Sequence, residues 1–288
     1  MVDMKPGSAS GVQIAFFIFA VALLAAPLTK WIVGADRWAP EVAAMIDKAI
    51  PFVMGIAILV AFPRLRRICS LELNNPVPSN GRAEVAAVAA LHLVMPFAWA
   101  GAVALWYWIA GGEVALAHLI AQLKPHEIEM ARAFVPAEMV RSLLVAGILA
   151  PLTEELVFRG LLYRAWEARW GWVASMLATS TIFAAYHPNF APTFVAGILY
   201  VCLYRRTGSI WAPIAVHSAY NVLIWYPILG QHIFPRSLEA PGDLQSWPLH
   251  LAALLVTVVA VPAYISLARY RWVSPEPILA VGDGSLPR

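Results

Sequence analysis

Two adjacent carboxylates and a guanidinium, Glu154, Glu155 and Arg159, stand in the stretch from Ala150 to Arg169, inside a chain that is otherwise apolar on both sides. Downstream come Phe183 with His187, then His217 with Asn221, each pair four residues apart. Carboxylate, imidazole and amide groups together can activate a water and stabilise a developing oxyanion, so these residue types suit hydrolysis. Ionisable groups at bilayer depth are costly and mark functional sites.

The helical repeat sorts these groups by direction. Glu154 and Glu155 differ by about 100° around a helix, so they face different partners. Glu155 lies four residues before Arg159, the favoured order for an acid–base pair, and Arg159 is its natural neutraliser. Glu154 then points elsewhere without a local cation. Pro151 cannot donate to the carbonyl of Gly147 and predicts a bend just before the two glutamates. Ser218 stands beside His217, about 100° away, which disfavours a serine nucleophile. Counting rise per residue places Glu154 roughly 20 Å above a turn near Ala168 and His187 roughly 24 Å above Gly171. By the same count His217 and Asn221 lie roughly 13 and 20 Å above Gly208. Three helices rising from one membrane face thus bring acid, imidazoles and amide to similar heights.

The elements that must carry them are apolar. The chain has 288 residues, 61% hydrophobic and 13% charged, with a mean hydropathy of +0.70. A soluble domain carries about 25% charged residues, so the composition predicts an all-α, polytopic membrane helix bundle. Eight spans are expected, at 12–33, 42–62, 84–110, 138–166, 171–187, 191–206, 209–232 and 248–270. The first is read as an uncleaved span rather than a signal peptide. Residues 113–136 read as an interfacial amphipathic helix. The expected organisation is an N-terminal tail at 1–11, N-terminal spans and interfacial helix at 12–137, a catalytic core at 138–232, a last span at 233–272, and a disordered tail at 273–288. The net charge of +3 is small and the arginines sit at span ends, so no basic stripe for nucleic acid is present. Their distribution predicts both termini in the cytoplasm, with the plasma (inner) membrane as the location. Many tryptophans flank the spans as an aromatic belt. Cys69 and Cys202 imply neither a disulfide framework nor a cysteine metal site. His92 reads as an interhelical contact.

Taken in order and spacing, Glu154-Glu155-x-x-x-Arg159, Phe183-x-x-x-His187 and His217-x-x-x-Asn221 resemble the three motifs of the CPBP (Abi) family, best known for the CAAX prenyl endopeptidases. The resemblance covers about residues 138–225, and Arg159-Gly160-x-Leu162 agrees with the pattern around the first motif. It implies an intramembrane endopeptidase acting on a membrane-associated protein or peptide, with Glu154 as general base for an attacking water. His187 would orient that water, while His217 and Asn221 would donate to the oxyanion. Glu155 and Arg159 would hold the first motif in place, and Phe183 reads as packing. No cofactor is required on this reading. The alternative has Glu154, His187 and His217 bind Zn²⁺. A second alternative is a non-catalytic membrane immunity or scaffold protein. Nothing in the residues implies that the substrate is prenylated.

Overall fold

The computed structural model describes residues 69–132, 143–187, 189–224 and 247–270, which are helical with no strand among them. The first two expected spans and both chain ends lie outside the described residues. A helical turn at 69–73 leads to a short 3₁₀ turn, Ser79–Gly81, and then to α1, Arg82–Arg132. Helix α1 breaks at Gly111 and Gly112, where the expected third span gives way to the expected interfacial helix.

A second helical run carries the acids. It opens with a π-helical segment, Leu143–Leu149, continues as α2, Ala150–Glu155, widens again into a π-helical segment, Leu156–Tyr163, and ends as α3, Arg164–Ala185. Gly171 interrupts α3 with φ 76°, a conformation that a residue with a Cβ rarely adopts. The chain turns there, between the fourth and fifth expected spans. Helix α4, Phe190–Thr207, ends on left-handed Gly208, and α5, Trp211–Ile224, and α6, Trp247–Leu267, follow.

Helix α4 is central. Every residue from Ala196 to Tyr204 is buried, as expected for a helix that is apolar all round. It packs on α3, α5, α1 and α6, while α1 also runs along α6 and α5. Close approach depends on small residues. A Cβ on Gly197 of α4 would stand 2.9 Å from the Ser180 Cβ of α3, and one on Gly101 of α1 would stand 2.6 Å from the His250 carbonyl oxygen of α6. On the outside, α6 exposes Leu255, Val258 and Val259, and α1 exposes Trp106, Trp108 and Ile109. Apolar surfaces of that extent suit lipid rather than water. Among the described residues two helices are long and apolar enough to cross a membrane, Ser79–His118 and Leu249–Leu267, with mean hydropathy 1.9 and 2.0.

One end of the bundle is polar and tied together. Arg164 and Tyr204 both donate to Glu72, Arg205 donates to Glu167, and Arg206 and Tyr264 donate to Glu84. Asn75 donates to the Gly208 carbonyl at 2.6 Å, and the Trp211 indole donates to that of Leu73 at 2.8 Å. The loops expected after the second, fourth and sixth spans therefore share one face with the end of α6.

Candidate active site

The two glutamates of α2 diverge as their helical angle requires. The Glu155 side chain is fully buried and accepts from Arg159 Nη1 at 3.0 Å. A buried charge persists only when paired, and Arg159 is secured further by donating from Nη2 to the Gly197 carbonyl at 3.2 Å. The close packing of Gly197 on α3 places that carbonyl within reach. The guanidinium also lies over the Phe183 ring, 4.4 Å from its centroid.

Glu154 turns the other way. Its Oε2 is buried without a hydrogen-bond partner and stands 3.9 Å from both His187 Nε2 and His217 Nε2. Each imidazole is oriented from behind. His187 Nδ1 lies 2.7 Å from the Phe183 carbonyl, which can only accept, so Nδ1 carries the proton. His217 Nδ1 lies 2.9 Å from Glu155 Oε1. His217 thus bridges the two glutamates, one at each ring nitrogen, and both imidazoles turn Nε2 toward Glu154.

Phe183 forms the floor. Its ring meets Phe158 edge-on at 5.2 Å, His187 at 4.6 Å and His217 at 5.9 Å. This aromatic contact set fixes α3 against both the acid-bearing run and α5. The site is not sealed: the Glu154 and His187 side chains are 27% and 31% exposed, against 6% for His217. Access is from the Glu154–His187 side.

Asn221 is engaged differently from the other three. Its Nδ2 donates to the Ala146 carbonyl at 2.8 Å. In the π register that carbonyl would take the N–H five residues on, which belongs to Pro151 and does not exist. The expected freed carbonyl is present, one residue earlier than an α-helical register places it, and Asn221 fills it. One N–H of the amide remains.

Sequence reasoning did not single out Tyr200. It is buried on α4, its ring stacks on His217 at 5.1 Å, and its hydroxyl lies 3.0 Å from His92 Nδ1. No motif spacing marks it, because its role comes from the crossing of α1, α4 and α5. His92 is the interhelical contact expected for it.

The comparisons with known proteins fall on this same segment. The model for the Rce1-like family, described as type II CAAX prenyl endopeptidase Rce1-like, matches residues 136–223, which hold all seven of the motif side chains. This core is similar to an Rce1-like domain, consistent with the CPBP family. The chain is 27% identical over 134 residues to "UPF0177 protein YbdJ" of Lactococcus lactis, covering 42% of this chain and 58% of that one. It is 30% identical over 94 residues to "Uncharacterized 24.3 kDa protein" of Escherichia coli, covering 30% and 43%. It is 28% identical over 85 residues to "Putative membrane peptidase YdiL" of Bacillus subtilis, covering 28% and 35%. The chain thus spans between about a third and three-fifths of these curated relatives. No solved structure matches it. With its composition and lipid-suited helices, the protein is a membrane protein, and at family level its Rce1-like domain groups with membrane proteases. Helices α1 and α6 lie outside the matched residues.

Proposed function

We propose that the protein is an intramembrane endopeptidase that hydrolyses a peptide bond of a membrane-associated protein or peptide through a glutamate-activated water. The observation carrying this reading is the Glu154 carboxylate oxygen, buried and unbonded, facing two imidazole Nε2 atoms at 3.9 Å. A water between them reaches each at an ordinary hydrogen-bond length of about 2.8 Å. Glu154 takes a proton from that water, and the hydroxide oxygen adds to the carbonyl carbon of the peptide. The bare Nε2 of His187 accepts the water's second hydrogen and aims its lone pair. His217, protonated at Nε2, and the remaining N–H of Asn221 donate to the oxyanion. The tetrahedral species collapses with cleavage of the C–N bond, and Glu154 returns its proton to the leaving amine. Glu155 and Arg159 touch neither water nor substrate; they fix His217 from behind. The protein resides in the plasma membrane with its termini and the polar end of the bundle in the cytoplasm.

A zinc-dependent form of the same hydrolysis is favoured by one feature, the presentation of both imidazoles through Nε2 with Nδ1 held by an oxygen, the usual outer support of a metal ligand. The donor set of Glu154, His187 and His217 suits Zn²⁺, which would polarise a bound water. The spacing is wide for it, since tetrahedral ligand pairs about 2.1 Å from zinc stand about 3.4 Å apart. We therefore favour the metal-free form.

Purified full-length chain in liposomes is given two internally quenched peptides, one S-farnesylated near its C-terminus and one unmodified. Hydrolysis that persists in strong chelator and vanishes in Glu154→Gln supports the reading. Loss in chelator with restoration by zinc selects the metal form. A Glu154→Gln variant that keeps the full biological effect would identify a non-catalytic immunity or scaffold protein instead.

A further inference from the structure

Four aromatic side chains from three helices close a ring behind the site. His217 and Tyr220 lie one turn apart on α5. Tyr200 of α4 stacks on His217, with ring centroids 5.1 Å apart and planes within 26°. His92 of α1 stacks on Tyr220 at 3.8 Å with planes within 3°. The Tyr200 hydroxyl and His92 Nδ1, 3.0 Å apart, join the two stacks. Tyr200 and His92 are 1% and 3% exposed, so neither ring can relax into solvent. Tyr200 also meets the Arg159 guanidinium, whose Cζ is 5.1 Å from the ring centroid.

We propose that Tyr200, anchored by His92, is a positioning residue that sets the plane of the His217 imidazole, so that α1 contributes to the site from outside the matched domain. The physical ground is that two hydrogen-bonding directions alone leave His217 free to tilt about the line from Glu155 to Glu154. A ring stacked on one face removes that freedom, and the hydrogen bond to His92 in turn removes the tilt of Tyr200. A direct hydrogen bond from Tyr200 to His217 is not needed, and the stacked geometry does not offer one. The inference deepens the protease reading and rests on it for its effect on turnover, although not for its effect on the ring.

Full-length protein carrying isotope-labelled histidine, in micelles, reads the ring directly, because imidazole nitrogen signals report which nitrogen holds the proton. The His217 signal is the one missing from His217→Gln. The wild type should show one form, protonated at both nitrogens, with Nδ1 facing Glu155 and Nε2 facing the oxyanion position. Tyr200→Leu, which removes the stack, should give mixed or broadened His217 signals, and Tyr200→Phe, which keeps ring and volume, should give a smaller change of the same kind. With the quenched peptides, Tyr200→Leu should lower kcat by roughly 10²-fold, with KM unchanged to within about twofold. Adding His92→Phe to Tyr200→Phe should cost nothing further, since both break one link. His217 signals identical to the wild type in Tyr200→Leu and Tyr200→Phe would overturn the proposal, even if kcat fell. If Tyr200→Leu does not fold, the Tyr200→Phe spectrum decides. Glu154→Gln separates the two claims: normal hydrolysis there sinks Glu154 as the base of the proposed reaction, while the His217 signals still judge the positioning.

Discussion

Glu154 and Glu155 are neighbours in sequence with opposite tasks, and the difference is set by what each meets. Glu155 meets a buried guanidinium and the Nδ1 of His217, so it is an anchor. Glu154 meets two Nε2 atoms across a gap wide enough for a water, so it is free to exchange a proton. Removing the Arg159 charge strands Glu155 in the interior. Arg159→Leu should therefore destabilise the fold by about 3–5 kcal/mol, the usual result of breaking one partner of a buried pair. Thermal unfolding in micelles measures this, and an unchanged midpoint would contradict the assigned pairing. Phe183 was legible from sequence as packing, and packing it is, but under three functional groups at once.

At the scale of elements, two π-helical segments bracket the six residues that carry the acids. Each widening shifts the register of the side chains beyond it, and such segments often accompany functional sites. Pro151 made a bend legible in advance, because a missing N–H is a local fact of sequence. The π register was not legible: it depends on whether neighbouring helices accept the wider turn, here with Gly147 of the first segment against Val222. The same limit applies to Asn221. Its spacing from His217 placed it on the right face, yet nothing in one sequence foretold that it would fill the Ala146 carbonyl. Pro151→Ala restores an N–H for that carbonyl and should release Asn221. Turnover should fall several-fold while thermal stability holds or rises, because a helix-interior proline is removed. A coupled loss of turnover and stability would count against this account. Gly197→Leu tests the α3–α4 contact. Its Cβ would meet Ser180 Cβ at 2.9 Å, so the helices must part and the Arg159–Gly197 link should be lost, with unfolding at lower temperature.

Across the whole molecule, the helical class was legible from composition, and the turns at Gly171 and Gly208 from glycine and charge. The tie between loops was not, because Glu72, Glu84 and Glu167 find their arginines across long stretches of chain. Cysteine reporters replacing the exposed Asn75, Arg169 and Arg269 should all react with an impermeant thiol reagent only after the membrane is opened. Labelling of any one from outside intact cells would refute a cytoplasmic polar end. The account as a whole turns on Glu154 acting as the base, and chemical rescue tests that most directly. Glu154→Ala should lose turnover of the cleaved quenched peptide by about 10²–10⁴-fold, and formate, a small carboxylate fitting the vacated space, should restore part of it saturably where chloride does not. Wild-type turnover in Glu154→Ala without formate would contradict a glutamate-activated water.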